Sequence, residues 1–587
     1  MTRREFLLSS GAVTLLSGCR SFDLFGAPEM TFGVVSDIHV TTPKSCAMFE
    51  KALRQFKRRG VDAVMVPGDL TDWGLKASLR YVKETWDRVF GGTDVVPLFC
   101  TGNHDYDGWA YGDMTMEMHA NGYSEADRMV KGGVGAAWEE ILGERFGDVR
   151  CRSVKGFDFV SCEYRPENPE ALKTWFEENR ARLTGTRPFF FFQHLPIKGT
   201  TVDSFGWADN GVTKPVLDAF PNCVAFTGHT HRPFIDERQI WQGEFTAINI
   251  GCLQTWAGFA AGSTPPDQAK EAYTVLLMDV YRDRLVVERY DVRDRSKCGP
   301  DWVVPLPFAA ESAPYAPARA AQRVKALPMF AADAKVTVSV EEEGYRFSFP
   351  EASKGPRAFK YVLACERRNA KGKWERFTHD EIFGDFHIAP KDRTGETSCV
   401  LSAGFFAPGE SYRATVTPQD CFGHSSASIA SAVFTGGPAK ATTLWSLGEN
   451  SFTATENGKP MSKDKDGFYA PKSGQGTLHL PLKRFANLET NRVHRLVLDL
   501  HTVQQAGDWC GWRISLSSLK NGRKARRMVY ASIQTPTGDS GMLRYVMEFK
   551  PGEKFPESCN LVFPNVVPNG RIRVVSVRLE REESLRK

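Results

Sequence analysis

Five short groups of carboxylate, imidazole and amide side chains stand out in the sequence: Asp37-Ile38-His39, Gly68-Asp69-Leu70-Thr71-Asp72, Gly102-Asn103-His104-Asp105, His194, and Gly228-His229-Thr230-His231. Oxygen and nitrogen donors of these types suit borderline divalent or trivalent cations such as zinc, manganese and iron. Taken singly, each group is ordinary. An Asp-x-His is commonly a turn aspartate beside a surface histidine, and Gly-Asn-His-Asp is commonly a loop. Taken together they are not. Residues 30–297 hold six histidines, five of them in these groups and only His119 outside. Burying so many polar groups with no cation to bind would leave costly unsatisfied atoms.

Each group follows an apolar run of strand type. Phe32 to Val35 precedes Asp37, Val61 to Val66 precedes Gly68, and Val95 to Phe99 precedes Gly102. Phe189 to Phe192 precedes His194, and Val224 to Phe226 precedes Gly228. Between them, Met48, Ala52, Leu53 and Phe56, and then Leu79, Val82, Trp86 and Val89, recur at helical spacing. This alternation predicts a layered α/β domain over residues 30–297, whose sites are built at the carboxyl ends of strands.

At 587 residues the chain holds more than one domain. Residues 299–334 are rich in Pro and Ala and read as a semi-rigid, partly packed linker. Residues 335–437 are strand-rich. There Pro408 to Val416, followed by Asp420-Cys421-Phe422-Gly423, resembles a fibronectin type III domain, in which Tyr412 would donate its hydroxyl to nearby backbone at a sandwich corner. Residues 440–587, after a short linker at 438–443, resemble a jelly-roll sandwich of the galactose-binding-like kind on strand density alone.

The first 19 residues read as an address. Arg3 and Arg4 precede an apolar stretch from Phe6 to Gly18. That stretch is too short for a bilayer core, which needs about 20 residues, so it is a signal segment. Thr2 to Leu8 resembles a twin-arginine export signal, and Leu16-Ser17-Gly18-Cys19 resembles a lipobox with Cys19 as the lipidated residue. The other reading is a plain secretory signal with a chance cysteine. The expectation is an exported protein anchored by lipid to a bacterial membrane, periplasmic or at the cell surface. Arg20 after the cysteine, in place of a retaining Asp, favours an outer membrane.

Composition excludes several classes. With 42% hydrophobic and 25% charged residues the chain is neither disordered throughout nor a polytopic membrane protein. A net charge of +5 is too thin to argue for nucleic acid as a partner. The 13 cysteines form no CxxC cluster, and Cys100, Cys223 and Cys365 sit in apolar runs, as buried free thiols would.

The order of the five groups resembles the calcineurin-like metallophosphoesterase superfamily. The resemblance implies a four-layer αββα fold and a centre of two metal ions, Mn, Fe or Zn. It implies that Asp37, His39, Asp69 and His231 hold the first ion and that Asp69 bridges to the second, completed by Asn103, His194 and His229. By the same resemblance a metal-activated hydroxide attacks phosphorus. His104 then protonates the leaving alkoxide while Asp105 orients its ring, and Asp72 supports the ligands rather than joining them. Two branches are disfavoured: purple acid phosphatases have a tyrosine ligand at the position of Asp72, and Leu70-Thr71-Asp72 lacks the Asp-Arg-Gly of the protein serine/threonine phosphatases. A phosphodiesterase-like enzyme is the favoured reading, with a phosphomonoesterase or nucleotidase as its alternative. Within Tyr106 to Arg150, Trp109, Tyr111 and Tyr123 either wall a substrate pocket or pack a local subdomain. The C-terminal domains either bind cell-surface or extracellular polysaccharide, with Trp445, Trp509 and Trp512 stacking on sugars and catalysis secondary, or act as spacers in which tryptophan is core.

Overall fold

The computed structural model describes residues 26–583 apart from 107–132, 167, 202–207, 255–271, 342–343, 386–387, 389–392, 438–440, 449–450, 472–475, 483–487, 490–491, 505–510, 521–522, 535–537, 550–558 and 567–569. The signal segment with Cys19, and His119, Trp109, Tyr111, Tyr123 and Trp509, lie outside the described residues, as does the side chain of Trp512.

The first domain is built on two sheets. One has the order β13-β12-β11-β1-β2-β3, from Trp302–Pro305, Arg284–Asp291, Ala272–Val280, Met30–Val34, Ala63–Pro67 and Val96–Cys100, with β10 (Leu253–Gln254) beside β11. The other has the order β4-β5-β6-β7-β9-β8, from Val149–Val154, Phe157–Cys162, Phe189–Phe192, Cys223–Thr227, Thr246–Asn249 and Ile240–Gln242. β1, β2 and β3 run parallel, as do β5, β6, β7 and β9. Parallel strands covered on both faces must be apolar throughout. The sequence Phe-Phe-Phe-Phe of β6 is accordingly buried at every position.

Three apolar seams separate the layers. Helices α1 (Ala47–Arg59) and α2 (Lys76–Phe90) place Phe49, Leu53, Phe56, Leu79, Val82 and Trp86 against the outer face of the first sheet. α1 stops where Gly60 takes a left-handed φ of 76° and its N–H caps the carbonyls of Phe56 and Lys57. Phe32, Met65 and Leu98 meet Phe159, Phe190 and Phe226 between the two sheets. The outer face of the second sheet carries Phe189, Phe191 and Ala225 against Leu172 and Phe176 of a further helix, Ala171–Glu178. The periodicities read from the sequence therefore meet in one stack, and all parallel strands of a sheet end on the same rim.

Residues 302–305 do more than link. Their alternating burial puts Trp302 and Val304 into the inter-sheet core as strand β13, so the first sheet extends into the stretch read as a linker.

The remaining chain is a series of antiparallel sheets. Strand Lys360–Arg368 pairs with Trp374–Phe383 on one side and Ser411–Gln419 on the other, and Gly344–Pro350 pairs with Glu396–Ser402. Both sets share one core around Phe347, Tyr361, Leu363, Phe406 and Tyr412. The Tyr412 hydroxyl accepts the amide of Ala407 at 2.7 Å and donates to Glu410 at 3.1 Å, the reverse of the expected donation to backbone. In the last region Trp445 is buried in a core with Leu480, Leu496, Leu498 and Val577, so it is a packing residue and not a sugar-stacking face. The regions touch: Phe359, Phe383 and Cys421 pack on Ile235 of the first domain, and Thr378 Oγ1 donates to the Arg544 carbonyl at 3.0 Å. Cys100, Cys223 and Cys365 are buried thiols outside any disulfide.

Candidate metal centre

The five groups come together at the carboxyl ends of β1, β2, β3, β6 and β7. The chain bends sharply there. Asp37, His39, Asp69, His229 and His231 all have positive φ, between 43° and 72°, and only three other described non-glycine residues do. Such backbone is strained for L-residues and persists where surrounding structure fixes it. Two glycines are needed for the close approach. A Cβ on Gly102 would strike the Asp69 carboxylate and amide, and one on Gly228 would lie 2.5 Å from Asp37 Oδ2.

Donor atoms converge in two cradles. Asp37, His39, Asp69 and His231 each offer an atom within 4.8 Å of the others, and so do Asp69, His194 and His229. Asp69 belongs to both. The Asn103 side-chain oxygen lies 3.0 Å from His194 Nε2, which adds an amide donor to the second cradle. Within the first, His39 Nε2 and His231 Nε2 face each other at 3.1 Å, and His231 Nε2 is 3.1 Å from Asp37 Oδ1. Asp69 Oδ2 is buried and accepts no hydrogen bond from the described residues, although His194 Nε2 stands 3.1 Å away and His39 Nε2 3.5 Å away. These atoms aim at shared centres rather than at one another. A buried carboxylate oxygen with no donor is what a cation would satisfy, so the residues fit two metal ions sharing Asp69.

The ligand rings are held from behind. His39 Nδ1 donates to Asp72 Oδ1 at 3.0 Å and His194 Nδ1 to the Pro67 carbonyl at 2.9 Å, which turns both Nε2 atoms into the cradles. Asp37 is fixed by the His229 amide, 3.0 and 3.1 Å from its two oxygens, and Asp69 Oδ1 by the His104 amide at 2.9 Å.

The electrostatics fit the same reading. Burial disfavours a charged His194, but the Asp69 carboxylate outweighs it and lifts the imidazole to about 9. Burial likewise opposes charge on His231, yet Cys252 and Asp37 raise it well above its usual value. His229, half-buried beside His194, is pushed down by desolvation and by that neighbour to about 4. Asp37 and Asp69 are held below the usual carboxylate range by their histidine neighbours despite full burial. Without a cation the cluster draws protons; a metal ion would replace them.

His104 sits beside this cluster, its ring 4.5 Å from that of His39. Its Nδ1 is 3.1 Å from the Asp72 carbonyl and 3.3 Å from the Asp72 carboxylate. Burial lowers its pKa, but Asp72 and Asp69 more than compensate and raise it to about 9. The carboxylate that orients this ring is therefore Asp72. Asp105, expected in that role, is fully buried and accepts the amides of Gly102, Leu70 and Thr71 at 2.8, 3.2 and 2.9 Å, with the Thr71 hydroxyl at 3.0 Å. It staples the second motif to the third.

One neighbourhood escaped the sequence reading. Glu163, Tyr164 and Arg165 follow β5 on the same rim, and Tyr164 lies edge-on to His194 with ring centres 6.4 Å apart. The signal that could have found them is the one that found the ligands, an apolar strand run followed at once by polar residues.

Paired cradles at the ends of two parallel-cored sheets suit metal-assisted hydrolysis. The family model for calcineurin-like phosphoesterases matches residues 30–233, and this part of the chain is a calcineurin-like metallophosphoesterase domain. No curated protein matches the chain. Among solved structures it is similar to a dimetal phosphatase from Danio rerio, at 14% identity over 47% of this chain and 99% of that one, with a TM-score of 0.30. It is also similar to the anchor in the inner membrane complex of Plasmodium, at 11% identity over 49% and 90% of the two chains and a TM-score of 0.30. A further similarity is to the xylan-binding domain CBM22-1 of Xyn10C from Paenibacillus barcinonensis, at 8% identity over 25% and 99%, with a TM-score of 0.15.

Proposed function

We propose that this domain hydrolyses phosphodiesters at a centre of two metal ions, one held by Asp37, His39, Asp69 and His231 and the other by Asp69, Asn103, His194 and His229. The observation that carries the reading is the buried Asp69 oxygen, shared by both cradles and lacking a hydrogen-bond donor. Manganese, iron or zinc in these cradles would neutralise phosphate oxygens and acidify bound water.

The chain's own residues do the rest. His104, with its Nδ1 turned to Asp72, would deliver a proton from Nε2 to the leaving oxygen. The His104 amide on Asp69 Oδ1 keeps acid and shared ligand in register. The Asp105 staple fixes the loops that carry both. Diester over monoester rests on the sequence, which lacks the marks of the purple acid and protein phosphatase branches.

The test is initial rates of the metal-stripped protein on bis(p-nitrophenyl) phosphate and p-nitrophenyl phosphate after adding back manganese, zinc or iron. Faster metal-dependent turnover of the diester supports the reading; the reverse order makes the domain a monoesterase or nucleotidase. We also propose export and a lipid anchor at Cys19. Palmitate label on the full-length chain in a bacterial host, absent from Cys19→Ser, would support this. Unlabelled wild-type protein would end it.

A further inference from the structure

We propose that Arg165, held over Tyr106 and Tyr164, is a subsite for a second phosphate group, so that the preferred substrate is a phosphate ester carrying a further phosphate away from the reacting one. The inference rests on the phosphoesterase reading of the metal centre and names a substrate class for it.

The position comes first. β5 and β6 are parallel neighbours, so Tyr164 and Arg165 after β5 share a rim with His194 after β6. Tyr164 meets the His194 ring, and Tyr106, three residues beyond Asn103, meets Tyr164 with ring centres 5.8 Å apart. The two tyrosines thus form a wall leading away from the second cradle. The Arg165 guanidinium lies over both rings, 5.3 Å from the centre of Tyr106 and 5.6 Å from that of Tyr164.

Among the described residues no carboxylate claims the charge of Arg165. Arg150 and Arg152, on the adjacent strand, pair with Glu163 and Glu144. Arg165 is exposed and makes no ion pair with a carboxylate among the described residues; its recorded contacts are the two aromatic faces. Stacking uses the face of a guanidinium and leaves its N–H edges for in-plane bonds, and that edge matches two phosphate oxygens at once.

The wall is also fixed to the metal site. The buried Glu163 carboxylate accepts the Thr101 amide at 2.9 Å and the Thr101 hydroxyl at 2.5 Å, and Arg150 at 2.6 Å. The Tyr164 amide donates back to the Thr101 hydroxyl at 3.3 Å. Thr101 directly precedes Gly102-Asn103, so the segment with the Arg165 cation is tied to the loop that carries a ligand. An anchored cation beside a two-metal centre is a preorganised place for a second anion.

The test compares two chromogenic diesters in the metal-loaded full-length protein: the p-nitrophenyl ester of thymidine 5′-phosphate, with and without a 3′-phosphate. Both release the same product, so the ratio of their kcat/KM values is the readout. The wild type should favour the 3′-phosphorylated ester by about tenfold or more, as a charge-assisted bidentate contact would give. Arg165→Gln should bring the ratio to about one, and Arg165→Lys should restore part of it. A wild type without preference, or a preference retained in Arg165→Gln, overturns the proposal. Calorimetric titration of thymidine 3′,5′-bisphosphate into the same proteins separates the two readings. Binding weakened about tenfold by Arg165→Gln, with neither ester cleaved under any metal, would keep the subsite and reject diester hydrolysis. Equal binding by wild type and variant would reject the subsite.

Discussion

His194 and His379 are both buried, one at the metal centre and the other in the strand Trp374–Phe383 of the second region, and their surroundings pull them in opposite directions. Desolvation lowers both. At His194 the Asp69 carboxylate reverses the effect and brings the ring to about 9. At His379 no carboxylate opposes burial, Arg376 and Lys360 add to it, and the ring falls to about 3. Among the described residues neither nitrogen of His379 has a hydrogen-bond partner, whereas both of His194 face oxygens within 3.1 Å. Burial of an imidazole does not therefore mark a site. Convergence of carboxylates upon it does, and this separates the first domain from the β-rich regions that follow.

Removing the point of convergence should break the contrast most severely. Asp69→Asn takes a charge from both cradles at once, and metal content by mass spectrometry should fall from two ions per chain to one or none. Turnover should drop by at least the 10²–10³-fold typical of losing a single transition-state stabiliser. Two retained ions with wild-type rates would show that the donors of the first domain converge without consequence. His104→Ala should act differently, lowering kcat about 10²–10⁴-fold at unchanged metal content, with the greater loss on alkyl leaving groups. An equal loss on alkyl and p-nitrophenyl esters would remove its role as acid.

The cradle residues were legible because each stands two to five residues beyond an apolar strand run, and parallel strands deliver their ends to one rim. The partner of His104 was not. Asp105 follows it in sequence, but the chain turns helical over Asn103–Tyr106, and adjacent residues on a helix do not face each other. The ring meets Asp72 from another loop instead. For Trp445 the sequence left sugar stacking and core packing both open; the core face becomes evident once the strand Ala441–Gly448 is paired with Arg571–Glu582. β13 was hidden by the prolines around it, although Trp302 and Val304 carry the alternation of a half-buried strand.

The two aspartates near His104 should separate by kind of effect. Asp72→Asn leaves His39 without its charged partner, and metal affinity should weaken about 10–100-fold with little change in melting temperature. Asp105→Asn loses acceptor capacity among four buried donors and should cost about 1–3 kcal/mol of stability, read as a lower melting temperature of the first domain. If Asp72→Asn destabilises the fold and Asp105→Asn does not, the roles assigned from geometry are exchanged.

The smallest effect lies in the second region and concerns acid. The folded pKa of His379, about 3, is below the value of about 6.5 that the ring has when unfolded. Between those values the unfolded chain binds the extra proton and the folded one does not. The stability due to a neutral His379 is therefore complete above pH 6.5, falls as pH drops through the window, and declines no further below pH 3. At pH 5.5 the linkage is on the order of 1 kcal/mol. Hydrogen exchange of the amides in Trp374–Phe383 should accelerate relative to its intrinsic rate between pH 7 and 5.5. His379→Leu, which removes two unpartnered nitrogens, should flatten that dependence without destabilising the region at pH 7. A dependence that survives the substitution would place the acid sensitivity in another group.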